Sequence, residues 1–76
     1  MNNARRKTLQ KALALISEAK SIVEEEMNAE RETFDNMPEN MQQGEKGSQM
    51  EAAADALEEA FTNLEEAEGQ IETASE

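Results

Sequence analysis

The chain has 76 residues and a net charge of −11, from 18 acids against 7 bases, and it contains no Cys, His, Trp or Tyr. One small domain is the most this length allows. A disulfide framework, a thiolate or imidazole metal site, and the Ser-His and Cys-His nucleophile pairs are all excluded, so no enzyme, metal or cofactor is expected.

The chain opens on a basic stretch. Residues 1–23 hold Arg5, Arg6, Lys7, Lys11 and Lys20 against Glu18, a net of +4. These bases lead into a mixed, periodic segment and not into the apolar core of a signal peptide. No run approaches the ~20 apolar residues of a membrane span. A cytoplasmic location is expected.

From about residue 3 to residue 35 the apolar positions are Leu9, Leu13, Ile16, Val23, Met27 and Phe34. With Lys20 and Glu30 completing the row, the spacing alternates between four and three, which is a heptad seam on a helix. Asn3 is the expected N-cap. Leu15, Ala19 and Ile22 fall beside the seam and widen the apolar arc to roughly 180°, against the ≳100° stripe of an ordinary amphipathic helix.

Residues 36–47 interrupt the pattern. Pro38 disfavours helical geometry at Met37 and lacks an amide donor, and Gly44 and Gly47 follow. A short helical turn starting at Pro38 would fold Met37 and Met41 over the end of a helix pair.

A second helix is expected from about residue 48 to residue 74. Ser48 and Glu51 stand at the spacing of a capping box, and Gly47 permits a sharp turn just before them. Met50, Ala54, Leu57, Phe61, Leu64, Glu68 and Ile71 repeat the heptad spacing. Ala53, Ala60, Ala67 and Ala74 recur every seven residues, as Ala12 and Ala19 do in the first helix. Alanine abundance follows from helix propensity, but its register points to helices packed near the ~8 Å end of the usual separation.

Together these features predict an all-α protein, an antiparallel two-helix hairpin of coiled-coil type. One neighbouring helix cannot cover a 180° arc, so two copies are expected to pair into a four-helix bundle. The large apolar residues of both seams, with Leu15 and Ile22 beside them, are the expected core and dimer-packing positions. Phe34 and Phe61 belong to that core and are not stacking platforms for bases. The polar seam residues Lys20, Glu30 and Glu68 are expected to set register, with Lys20 near an acid of the facing helix.

Residues 24–76 hold 17 acids against Arg31 and Lys46, a net of −15. An antiparallel pair would bring Arg5, Arg6, Lys7 and Lys11 near Glu65, Glu66, Glu68 and Glu72, each group offsetting the other's unfavourable place on a helix dipole. The remaining acids fall in two groups, Glu24, Glu25, Glu26, Glu30 and Glu32 on the first helix and Glu58, Glu59, Glu65 and Glu66 on the second. Carboxylate-bridged metal bundles add Glu-x-x-His pairs, which this chain lacks. The acids are therefore expected on solvated helix faces, with Glu24, Glu25, Glu58, Glu59, Glu65 and Glu66 as the partner-binding set. There is no calcium loop and no Gly-rich phosphate loop.

The run Phe34-Asp35-Asn36-Met37-Pro38-Glu39-Asn40-Met41-Gln42, followed by Gly44-Glu45 and a Glu/Ala-rich helix, resembles a family of small acidic helical-hairpin proteins encoded by bacteriophages and bacterial mobile elements. The likeness covers about residues 31–68, and its specific part is the Asn-x-Pro-Glu-Asn loop. It implies a phage or prophage origin and a helical hairpin, and it brings no catalytic or binding residue with it.

Two functions compete. In the first, the acidic helices engage a basic surface on a nucleic-acid-handling host protein and inhibit it, as a nucleic-acid mimic acting against host defence. In the second, the protein is a structural or assembly adaptor that docks through its apolar excess at Leu15, Ile22, Met37 and Met41. Direct nucleic-acid binding is not expected, because phosphate recognition needs a basic face. Neither is membrane association.

Overall fold

The computed structural model describes residues 1–76 and is all-helical, with no strand. Helix α1 spans Asn3–Asp35, α2 spans Glu39–Gln42 and α3 spans Glu45–Ala74. The molecule measures 58 × 15 × 12 Å. A 33-residue helix is ~50 Å long at 1.5 Å per residue, so the long axis is little more than α1 itself.

Helices α1 and α3 pack side by side along their length and run in opposite directions. Arg6 meets Ser75, Lys20 meets Glu68, and Arg31 meets Glu58. The half-buried residues of α1 include Leu9, Leu13, Ile16, Lys20, Val23, Met27, Glu30 and Phe34. Those of α3 include Met50, Leu57, Phe61, Leu64, Glu68 and Ile71, with Ala54 fully buried. The heptad rows read from the sequence therefore line the contact. Leu15 and Ile22 stand outside it, 62% and 55% exposed.

The helix ends depart from expectation at two points. Asn2, not Asn3, caps α1: its backbone is extended and its side-chain Oδ1 accepts from the Arg5 amide at 2.8 Å. Two successive asparagines offer the same cap chemistry, and the Asn3 oxygen instead accepts from the Arg6 guanidinium at 3.2 Å. The second correction concerns α3, which begins at Glu45 and not at residue 48. Gly44 supplies the extended N-cap backbone, and the Ser48 amide already donates to the Gly44 carbonyl at 3.1 Å. Ser48 and Glu51 are thus inside the helix and form no capping box. Glu45 in the first turn complements the positive end of the dipole.

The corner is tight for a reason that lies in Gly47. This glycine sits within α3 and is buried. A Cβ there would lie 2.6 Å from the Gln42 carbonyl carbon and 2.7 Å from the Gln42 Cα. The bare backbone lets α2 lie directly against the start of α3. Gln42 also reaches the other way, its Nε2 donating to the Phe34 carbonyl at 2.8 Å and satisfying an end group of α1. Of the two methionines expected to close this end, Met37 is half-buried and Met41 is 42% exposed.

Candidate partner-binding surface

Packing two helices along one seam leaves two flanks. Arg31 and Glu24 stand beside the seam on one side of α1, while Ala12 and Ala19 stand on the other. Because Arg31 pairs with Glu58, the α3 residues at the same heptad position as Glu58 share the Arg31 flank. Those residues are Glu51, Glu58, Glu65 and Glu72, all exposed. Seven-residue steps place them ~10.5 Å apart in a straight ladder.

The six acids expected to meet a partner are all exposed. Glu24, Glu58 and Glu65 lie on this flank. Glu25, Glu59 and Glu66 lie one position further round, on the outer faces of their helices. Glu51 and Glu72 were not among them, yet they extend the same ladder at both ends. Their seven-residue spacing from Glu58 and Glu65 is the sequence signal that places them there.

Two bases act on the ladder. Arg31 lies 2.8 Å from a Glu58 carboxylate oxygen and 3.8 Å from Asp55. Lys20 lies 2.7 Å from Glu68 and 3.8 Å from Glu65. The Lys20 and Glu68 side chains are 20% and 22% exposed, so this pair belongs to the seam, as their heptad positions require. The Lys20 ammonium also sits 5.2 Å over the centre of the Phe61 ring, a cation–π contact. The hydrogen bond to Glu68 holds the Lys20 pKa above its ordinary 10.5, partly opposed by burial and reinforced by the charges of Glu68, Glu65 and Glu24. Glu30, the other polar seam residue, is half-buried and forms no ion pair.

The N-terminal bases are placed differently from the expected charge match. The four ion pairs of the molecule involve Lys20 and Arg31 alone. Arg6 does turn inward, but to carbonyl oxygens: its Nε donates to Ser75 at 2.9 Å and a terminal nitrogen donates to Glu76 at 3.0 Å. Both oxygens lie just past the last residue of α3, at the negative end of its dipole. Arg5, Lys7 and Lys11 stay exposed.

No three His, Cys, Asp or Glu side chains are arranged to hold a metal ion, and no helix is long and apolar enough to cross a membrane. An open groove lies at the corner, bordered by Arg31, Phe34, Met50 and Ala54. Compared with known proteins, the chain matches no family model, no curated protein and no solved structure.

Proposed function

We propose that this is a non-enzymatic interaction protein whose glutamate flank engages a basic, nucleic-acid-binding surface of a host protein and blocks it. The observation that carries this reading is charge density. Eight acids lie between Glu51 and Glu72, along ~32 Å of helix. That is about one per 4 Å, close to the 3.4 Å per phosphate of one DNA strand. Only Glu68 of the eight turns into the seam. Spread over the flank and the outer face, with the flank ladder itself at ~10.5 Å steps, these carboxylates offer a protein built to hold phosphates a comparable charge per unit length, and their negative field steers such a protein towards them.

The working unit in this reading is a pair of antiparallel hairpins assembled as a four-helix bundle. The Asn36-Met37-Pro38-Glu39-Asn40 loop favours a phage or mobile-element source, and hence action in the host cytoplasm as an inhibitor of antiviral defence.

The test is affinity capture from bacterial lysate at low salt, with mass spectrometry. A DNA- or RNA-handling protein should be recovered. Its binding should weaken steeply with added salt and be lost on combined Glu58→Lys, Glu59→Lys, Glu65→Lys and Glu66→Lys substitution. Recovery of no such protein at low salt would sink the reading.

The exposure of Leu15 and Ile22 favours a second reading, an adaptor for another protein. In that case the charge reversal leaves partner capture intact and Ile22→Asp abolishes it.

A further inference from the structure

The flank opposite the glutamate ladder is nearly free of charge, in a chain whose net charge is −11. Between Gln49 and Ala74 the α3 positions on that side are five alanines, Asn63 and two glutamines. Between Ala12 and Ala29 the α1 positions are apolar except for Glu26. Leu15 and Ile22, the most exposed large apolar side chains of the molecule, project from it. A single chain half-covers Ala12, Ala19, Ala53, Ala60 and Ala67, leaves Leu15, Ile22, Ala29 and Ala56 exposed, and fully buries only Gly47 and Ala54.

We infer that this uncharged flank is the seat of a second copy of the same chain. The inference rests on the pairing of hairpins proposed above and adds which face pairs and how. Charge is the first argument. Two molecules at −11 repel, and contact through the other flank would set two glutamate ladders against each other. The uncharged flank is the side on which two copies approach without facing rows of like charge.

Area is the second. The strip runs ~38 Å along α3 on a face 15 Å wide, so two protomers cover ~1,100 Å² between them, just above the ~1,000 Å² that a biological interface clears.

Shape is the third. Arg6 meets Ser75, and Lys20 reaches both Phe61 and Glu68, which sets Leu15 level with the stretch 66–73, holding Ala67, and Ile22 with the stretch 59–66, holding Ala60. A two-fold axis parallel to the helices stacks α1 of each copy on α3 of the other, antiparallel. Leu15 and Ile22 then arrive at the level of the partner's small side chains, large against small, where the alanines permit close approach. The resulting dimer covers both uncharged flanks and turns its two glutamate ladders outward on opposite sides. It takes two basic partners, one per ladder.

Sedimentation over a range of concentrations tests this with four proteins: the natural chain, Ile22→Asp, Ala60→Glu, and the Glu58→Lys/Glu59→Lys pair. The natural chain should be dimeric at micromolar concentration. Ile22→Asp and Ala60→Glu should each weaken the dimer at least ~100-fold, and the ladder substitutions should leave it intact. Both flank variants are also made with Gly69→Ala, outside the flank, whose gain in helix stability keeps the monomer folded. A natural chain that is monomeric throughout overturns the pairing itself. A dimer indifferent to both flank substitutions but split by the ladder substitutions leaves pairing standing and overturns this face.

Discussion

The two ends of the helix pair are held by different means. At the corner the hold is packing: Gly47 and Ala54 are the two fully buried residues, α2 lies on the backbone of α3, and Met37 is half-buried. At the open end nothing is fully buried: Leu9 and Ile71 are half-buried in the seam, and the Arg6 guanidinium adds hydrogen bonds to the carbonyls of Ser75 and Glu76. Stability is therefore unevenly spread. Opening should start at the open end, where no residue is fully buried, and reach the corner last.

Substitution at the corner should have the largest effect. Gly47→Ala drives a methyl group into the main chain of Gln42, which no rotamer change relieves. Overpacking of this kind costs ~3 kcal/mol. In a chain this small it should appear as a large fall in the thermal midpoint by circular dichroism. An unchanged midpoint would show that α2 does not lie against α3 in solution.

The open end should respond more weakly. Arg6→Ala removes three charge-assisted hydrogen bonds, to Ser75, Glu76 and Asn3, at a half-buried site and should cost ~1 kcal/mol. Amide exchange should quicken over the last turn of α3, with the amides around Gly47 and Ala54 unaffected. Equal acceleration at both ends would erase the contrast between them. Gly69 offers the opposite change at a similar size. A Cβ there meets nothing within 4 Å, so Gly69→Ala should add ~1 kcal/mol through helix propensity alone, read as a higher midpoint. A lower midpoint would mean that another chain approaches the backbone at that point.

The contrast also separates what could be read from the sequence from what could not. The seam was legible because it is periodic. Leu9 to Phe34 and Met50 to Ile71 occupy the contact their spacing predicts, and Lys20 finds an acid of the facing helix. The corner was not, because Gly47 answers to Gln42 across a turn and local patterns do not report such proximity. The Ser48-x-x-Glu51 motif was the more visible signal, and Gly44 overrode it by supplying the N-cap four residues before Ser48. Net charge misplaced the N-terminal bases in a similar way. It matched them with glutamates, whereas Arg6 found backbone carbonyls whose availability depends on where α3 stops. The glutamate ladder lay open in the sequence at residues 51, 58, 65 and 72, overshadowed by the adjacent pairs Glu58/Glu59 and Glu65/Glu66.

Between the two ends lies Lys20, and its effect should be the smallest and the most specific to pH. Its hydrogen bond to Glu68 raises its pKa above 10.5 in the folded chain, so the folded state holds that proton more tightly than the unfolded one. Stability falls with rising pH wherever the folded state binds more protons. The Lys20 contribution is thus complete below pH 10.5 and disappears as pH climbs through the raised folded value. Denaturation of the natural chain and of Lys20→Gln, followed from pH 9 to 12, should give curves that converge across that window, with the natural chain losing stability faster. Parallel curves would show that Lys20 is solvated and that the middle of the seam is held by Phe61 and its apolar neighbours alone.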